Sequence, residues 1–195
     1  MSGLLIAFEG LDQSGKQTQA ELLRDTLREE GRKARLVSFP DYATSIGEEI
    51  ARALQGEREY SPDVMQLLYV ANRYERKADL LRWLEGGLIL VCDRYTASSI
   101  AYGEAQNLDT VWLTDMQKFL PAAALTVMLD IAPETAVKRK AVDRDRYERD
   151  LALQARVRDS YLRQAAAHQW VQLDGERPRD AIAADVFTAV AALLR

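Results

Sequence analysis

The chain is 195 residues long, 48% hydrophobic and 29% charged, with a formal net charge of −4 and one cysteine. That length suits one domain with its own core, the acidic balance argues against a nucleic-acid polymer as partner, and the lone Cys92 leaves no internal disulfide to form. No apolar run is long enough to span a membrane, and Met1-Ser2 leads straight into an apolar strand and not a signal peptide, so a cytoplasmic protein is expected.

The first element is an apolar strand over Leu4–Phe8, followed by Glu9-Gly10-Leu11-Asp12-Gln13-Ser14-Gly15-Lys16 and an amphipathic helix carrying Ala20, Leu22, Leu23 and Leu27. Backbone N–H groups of such a glycine loop wrap around phosphate oxygens, helped by the positive end of the helix dipole. Gly10 and Gly15 supply backbone angles closed to other residues, and Lys16 reaches the outer phosphates. Gly10, Leu11, Asp12, Gln13, Ser14, Gly15, Lys16, Gln17 and Thr18 are therefore the expected polyphosphate cradle. One position departs from the P-loop pattern. Ser or Thr is wanted directly after the lysine, where its hydroxyl meets Mg²⁺, and Gln17 stands there with Thr18 one place later.

A second strand is expected over Ala34–Phe39, and Ser61-Pro62-Asp63 opens a helix running to about Leu84, ended by Gly86-Gly87. Within that helix Tyr69 and Arg73 are four apart and share a face, so that a ring and a planar donor together suit a base. By itself such a pair is the ordinary covering of a helix surface. The third strand, Leu88–Cys92, runs into Asp93-Arg94-Tyr95. Four apolar residues before an aspartate match a Walker B strand whose carboxylate faces Mg²⁺, and an arginine at a sheet's carboxyl edge can grip a phosphate bidentately. The plain alternative is an Asp-Arg pair capping the next helix.

Beyond a fourth strand, Leu125–Ile131, Lys138-Arg139-Lys140 is followed by Arg144, Arg146 and Arg149 with Asp143, Asp145 and Asp150 among them. Two readings stand side by side: a solvated charged face, or a cation-rich lid over about residues 138–150 that closes on a transferring phosphoryl group. A fifth strand, Trp170–Leu173, completes the set. His168 reads as structural, and Trp83, Trp112 and Trp170 as core or interface anchors. Strands alternating with helices define an α/β fold, with a five-stranded parallel sheet covered on both faces in a single domain over residues 1–195.

These segments together resemble the thymidylate kinases along essentially the whole chain. The resemblance rests on Phe8 to Lys16, Phe39-Pro40, Leu68 to Arg73, Asp93-Arg94-Tyr95 with Ser98 and Tyr102, and Asp145-Arg146-Tyr147-Glu148-Arg149-Asp150 with Gln154. It implies a P-loop nucleoside-monophosphate-kinase fold, usually a homodimer, that moves the γ-phosphoryl of ATP to dTMP with Mg²⁺. It further implies that Lys16 and the loop amides hold ATP, that Tyr69 stacks on thymine and that Arg73 donates to a thymine carbonyl. Arg94 corresponds to the arginine on the dTMP phosphate, Asp93 to a group near the metal, and Asp12 to the carboxylate beside the acceptor's sugar and phosphate. Phe39, Ser98 and Tyr102 fall in the acceptor pocket, Tyr102 beside the sugar, and Tyr147 and Gln154 close over the nucleotide.

Three departures from the family pattern stand out. Gln17 leaves its amide oxygen, Asp93 and water to serve the metal. Asp41 and Tyr42 follow Phe39-Pro40 where many members place an arginine for the acceptor phosphate. Gln13 occupies the place of a catalytic arginine found in some members, and those lacking it use lid arginines, here Arg144 or Arg139. The implied catalytic set is Lys16, Asp12, Arg94, Arg144 and Arg139. A nucleotide-dependent switch is the rival from another class, but the Asn-Lys-x-Asp guanine reader of the GTPases is missing from the chain.

Overall fold

The most continuously apolar strand takes the most enclosed place. In the computed structural model, which describes residues 3–139 and 150–194, β1 (Leu4–Glu9) is the middle of a five-stranded, all-parallel sheet. The others are β2 (Ala34–Ser38), β3 (Ile89–Asp93), β4 (Leu125–Asp130) and β5 (Val171–Asp174), in the order β2-β3-β1-β4-β5. The described helices are α1 (Lys16–Glu29), α2 (Ser45–Gln55), α3 (Pro62–Glu75), α4 (Lys77–Glu85) and α5 (Thr96–Glu104), then α6 (Thr110–Asp115), α7 (Pro133–Arg139), α8 (Leu151–His168) and α9 (Arg179–Leu193).

Successive side chains of a strand point to opposite faces, and β1 is apolar on both. Ile6 and Phe8 enter one core with Leu23 and Leu27 of α1 and Val186 and Val190 of α9. Leu5 and Ala7 enter another with Leu80 of α4, Leu90, Cys92 and Tyr95. Each fully buried Leu, Ile or Phe contributes about 1.5–3 kcal/mol, so two-sided burial fixes the central strands firmly. A third cluster joins α5 to α8 through Ala97, Ala101, Val157 and Tyr161. Among the described residues, no helix is long and apolar enough to cross a membrane.

The register decides what meets at the sheet's carboxyl edge. Phe8 is level with Asp93, and the Arg94 N–H donates to the Phe8 carbonyl at 3.0 Å, so Gly10 and Arg94 emerge side by side. Strand boundaries differ from expectation by one residue at several ends. Phe39, Leu88, Ile131 and Trp170 fall just outside their strands, while Glu9, Asp93 and Asp174 fall inside. Phe39 still donates its N–H to the Asp93 carbonyl at 3.0 Å before a cis Phe39–Pro40 bond turns the chain away.

The expected helix from Pro62 to Leu84 is two helices. At Arg76 the N–H bonds back to Arg73 only three residues away, and ψ is −5°, so the α-helical ladder stops and restarts. The Arg76 guanidinium is anchored meanwhile on Asp41, at 2.6 Å, and on Asp79. Ser61 holds the N-cap position of α3, but its hydroxyl pairs with the Asp63 carboxylate and not with a backbone N–H.

Gly10 makes a close approach to the neighbouring strand β4. Its φ is +136°, and a Cβ there would run into the carbonyl oxygen of Leu129 on β4. We expect Gly10→Ala to cost about 2 kcal/mol or more in urea denaturation, since strained backbone and a blocked contact combine. An unchanged midpoint would remove the constraint assigned to this turn.

Candidate active site

The phosphate-facing loop begins where β1 ends. Gly15 caps α1 with φ +93°, and no side chain caps the helix, so its first-turn N–H groups are available to an external acceptor. Lys16 folds back over the loop, donating from Nζ to the Leu11 carbonyl at 2.6 Å and to Ser14 Oγ at 3.4 Å. Burial pushes its ammonium down to about 8, helped by nearby Arg94 and opposed by Asp12, Asp93 and Glu9.

Arg94 is the hub beside that loop. Its backbone is left-handed, with φ +62°, an unusual state for a non-glycine residue and one that aims the side chain back across the sheet edge. Nη2 donates to Asp12 Oδ1 at 2.5 Å and to the Tyr102 hydroxyl at 3.4 Å. Nη1 donates to the Gly10 carbonyl at 3.3 Å, Ser98 Oγ at 3.0 Å and the Tyr161 hydroxyl at 3.1 Å. Burial works against both charges of the pair. The Arg94 and Lys16 cations nonetheless hold Asp12 well below the usual carboxylate range, and Asp12 keeps Arg94 firmly protonated. Tyr102 closes the group by donating to Asp12 Oδ2 at 2.8 Å.

Underneath lies Glu9, fully buried at the end of β1. It accepts the Tyr95 N–H at 2.8 Å, the Ser98 hydroxyl at 2.6 Å and the Tyr161 hydroxyl at 3.2 Å. A buried carboxylate with three donors is a rigid platform, and it fixes the residues that hold Arg94. Neither Glu9 nor Tyr161 was among the expected site residues. A lone charge ending an apolar strand is a readable signal for Glu9, whereas Tyr161 arrives from α8 with no local mark.

Beside the hub a cleft of about 520 Å³, open at its mouth, runs toward α3. Phe39, Tyr69, Arg73, Ser98 and Tyr102 all line it, together with Asp12, Arg94 and the unforeseen Gln66 and Ser99. Arg73 is buried, with Nη1 donating to Ser99 Oγ at 2.8 Å, to Gln117 Oε1 at 3.3 Å and to the Tyr69 carbonyl at 3.3 Å. Its guanidinium lies 5.9 Å from the Phe39 ring centroid. Asn72 secures the loop above by accepting the Asp41 N–H at 2.7 Å. Asp41 is bound to Arg76 and serves the fold, while Tyr42 stands half-exposed at the cleft rim.

The remaining expected residues separate. Arg139, at the end of α7, reaches the Gln13 carbonyl at 3.0 Å and the Gly175 carbonyl at 2.9 Å, which puts a cation over the glycine loop. Gln17 turns along the helix surface and donates to Glu21 at 3.0 Å, and Thr18 is also exposed. Asp93 is different: its Oδ1 is buried with no hydrogen-bond partner among the described residues. Gln154 is buried on α8, away from the cleft lining. Arg144, Tyr147 and most of the 138–150 segment lie outside the described residues.

A P-loop on the central strand, an Asp-Arg pair on its neighbour and an acceptor-sized cleft between them define a P-loop nucleotide kinase. The family model described as thymidylate kinase matches residues 8–186, and the chain belongs to that family. It is 36% identical over 161 residues to the thymidylate kinase of Schizosaccharomyces pombe, covering 83% of this chain and 76% of that one. It is 31% identical over 186 residues to human thymidylate kinase, covering 94% and 88%. A solved thymidylate kinase from Candida albicans superposes with a TM-score of 0.88 at 30% identity, covering 98% of this chain and 92% of the other.

The depressed Lys16 has a stability consequence. Below about pH 8 it is protonated both folded and unfolded, so the full burial cost is present. Between about 8 and the ordinary 10.5 the folded state gives up its proton first, and that cost fades as pH rises. Lys16→Met should therefore melt above wild type near neutral pH without ligand, with the gap narrowing toward pH 10.5. A gap that widens with pH would reverse the assignment.

Proposed function

We propose that this chain transfers the γ-phosphoryl of ATP to dTMP, releasing ADP and dTDP. The observation that carries the reading is the shared position of Arg94 and Asp12, which line the acceptor cleft while Arg94 reaches the Gly10 carbonyl of the loop and Asp12 is a loop residue that feels the Lys16 charge. Two nucleotides seated in cleft and loop meet there with their phosphates.

The chemistry asks little covalent help of the protein. An oxygen of the dTMP phosphate, already anionic, attacks the γ-phosphorus, the bond to the bridging oxygen breaks, and ADP leaves with that electron pair. The residues have to align the three centres, exclude water and neutralise spreading charge. In this reading the loop amides and Lys16 hold the ATP phosphates, Arg94 turns from Asp12 to the acceptor phosphate, and Tyr69 and Arg73 take the base. Arg139 supports the view of residues 138–150 as a lid, since it already hangs over the loop, and Arg144 would add a second cation.

The residues suit Mg²⁺ through Asp93, whose Oδ1 is buried with no hydrogen-bond partner among the described residues and offers a carboxylate oxygen. Among the described residues there is no cluster of three or more metal-binding side chains, which is in keeping with an ion held mainly by nucleotide phosphates. When bound, the ion neutralises polyphosphate charge. Gln17 donates from its amide Nε2 to Glu21 along the helix, and its amide oxygen is the group that would serve the ion. The reading includes a cytoplasmic homodimer, for which exposed apolar side chains such as Leu67, Val111 and Phe119 offer surface.

An acceptor panel decides the matter. With ATP and Mg²⁺, dTMP should give the highest kcat/KM among dTMP, AMP, GMP and CMP, and a clear preference for one of the other three would sink the reading.

A further inference from the structure

One wall of the cleft carries two buried polar atoms that nothing in the fold satisfies. Gln66 is 1% exposed, lines the cleft, and its Oε1 has no hydrogen-bond partner among the described residues. Arg73 is equally enclosed. Its Nη1 has three acceptors, yet its Nε–H has none. Positions 66, 69 and 73 lie on one face of α3, so the two orphans belong to residues that share that face with Tyr69. Buried orphans are rare in native proteins, and one acceptor and one donor on a single wall call for a ligand that is their mirror.

The edge of a pyrimidine imide is that mirror: an N3–H donor beside a C4 carbonyl acceptor. A 4-aminopyrimidine reverses both, with a lone pair at N3 and an N–H donor at C4. We propose that Gln66 reads the acceptor base, Oε1 accepting N3–H while Arg73 donates to the neighbouring carbonyl, and that this pair selects 2,4-dioxopyrimidine nucleotides against cytosine nucleotides. The inference rests on the dTMP reading and names the residue that gives it selectivity. Selection of this kind is strong because the wrong base leaves both protein groups buried, unpaired and facing like partners.

The test uses the full chain and equilibrium binding, with thermal melts to verify folding. Wild type, Gln66→Ala, Gln66→Leu and Gln66→Glu are titrated with dTMP, dCMP and N3-methyl-dTMP, which lacks the N3–H. Wild type should bind dTMP roughly ten- to a hundredfold more tightly than N3-methyl-dTMP. In Gln66→Ala, which has neither acceptor nor bulk, that gap should close and the dTMP/dCMP ratio should fall by about tenfold or more. Gln66→Glu, which keeps an acceptor oxygen, should restore most of the ratio. If the alanine variant does not fold, Gln66→Leu replaces it for the dTMP/dCMP comparison.

Unchanged dTMP/dCMP selectivity in a folded variant, or a methyl penalty that persists in Gln66→Ala, overturns the role of Gln66 while leaving the dTMP reading intact. A wild type that does not prefer dTMP to dCMP overturns both.

Discussion

The site depends on one partly buried arginine held in an unfavourable backbone state. Arg94 follows β3 with a positive φ, a conformation costing on the order of 1–3 kcal/mol for such a residue, and it persists because its surroundings over-determine it. Two parallel strands set its origin, since β3 ends at Asp93 level with Phe8 of β1. Five hydrogen-bond acceptors, from Gly10, Asp12, Ser98, Tyr102 and Tyr161, set its direction. Glu9 in turn fixes two of those five. If Glu9 moved, the hub would lose its seat.

Charge balance in the cleft follows from the same arrangement. Arg94 and Asp12 neutralise each other, and Lys16 rests on neutral oxygens with its proton loosened by burial. In the proposed reading, an entering phosphate completes Lys16 and competes with Asp12 for Arg94. Preorganised donors of this sort are where a phosphoryl-transfer site stores its binding energy, at some expense in stability. The cleft beyond follows the same logic with neutral partners, in the orphaned atoms of Gln66 and Arg73.

What the sequence made legible was local. The strand, the glycine loop and the helix follow one another directly from Leu4 to Glu29, and their period and φ requirements are readable directly. Tyr69 and Arg73 share a helix face by spacing alone. The helix break at Arg76 could not be read, because its anchor Asp41 lies 35 positions away and leaves no periodic trace. Tyr161 meets Glu9 across 152 positions, and Gln66 looks like any polar residue on a half-exposed helix until the cleft closes around it. Gln17 shows the opposite failure. The motif wants a hydroxyl at that place, and the side chain found there forms an ordinary i,i+4 pair, its Nε2 donating to Glu21.

The central claim is that Arg94, seated on the Glu9 platform, is the grip on the acceptor's phosphate. Equilibrium titration of Arg94→Lys with dTMP and with thymidine tests it most directly, because lysine keeps the charge but loses the planar fork. On this account dTMP binding weakens by roughly tenfold or more while thymidine binding stays within about twofold of wild type. Equal losses for both ligands, or none for either, would contradict it.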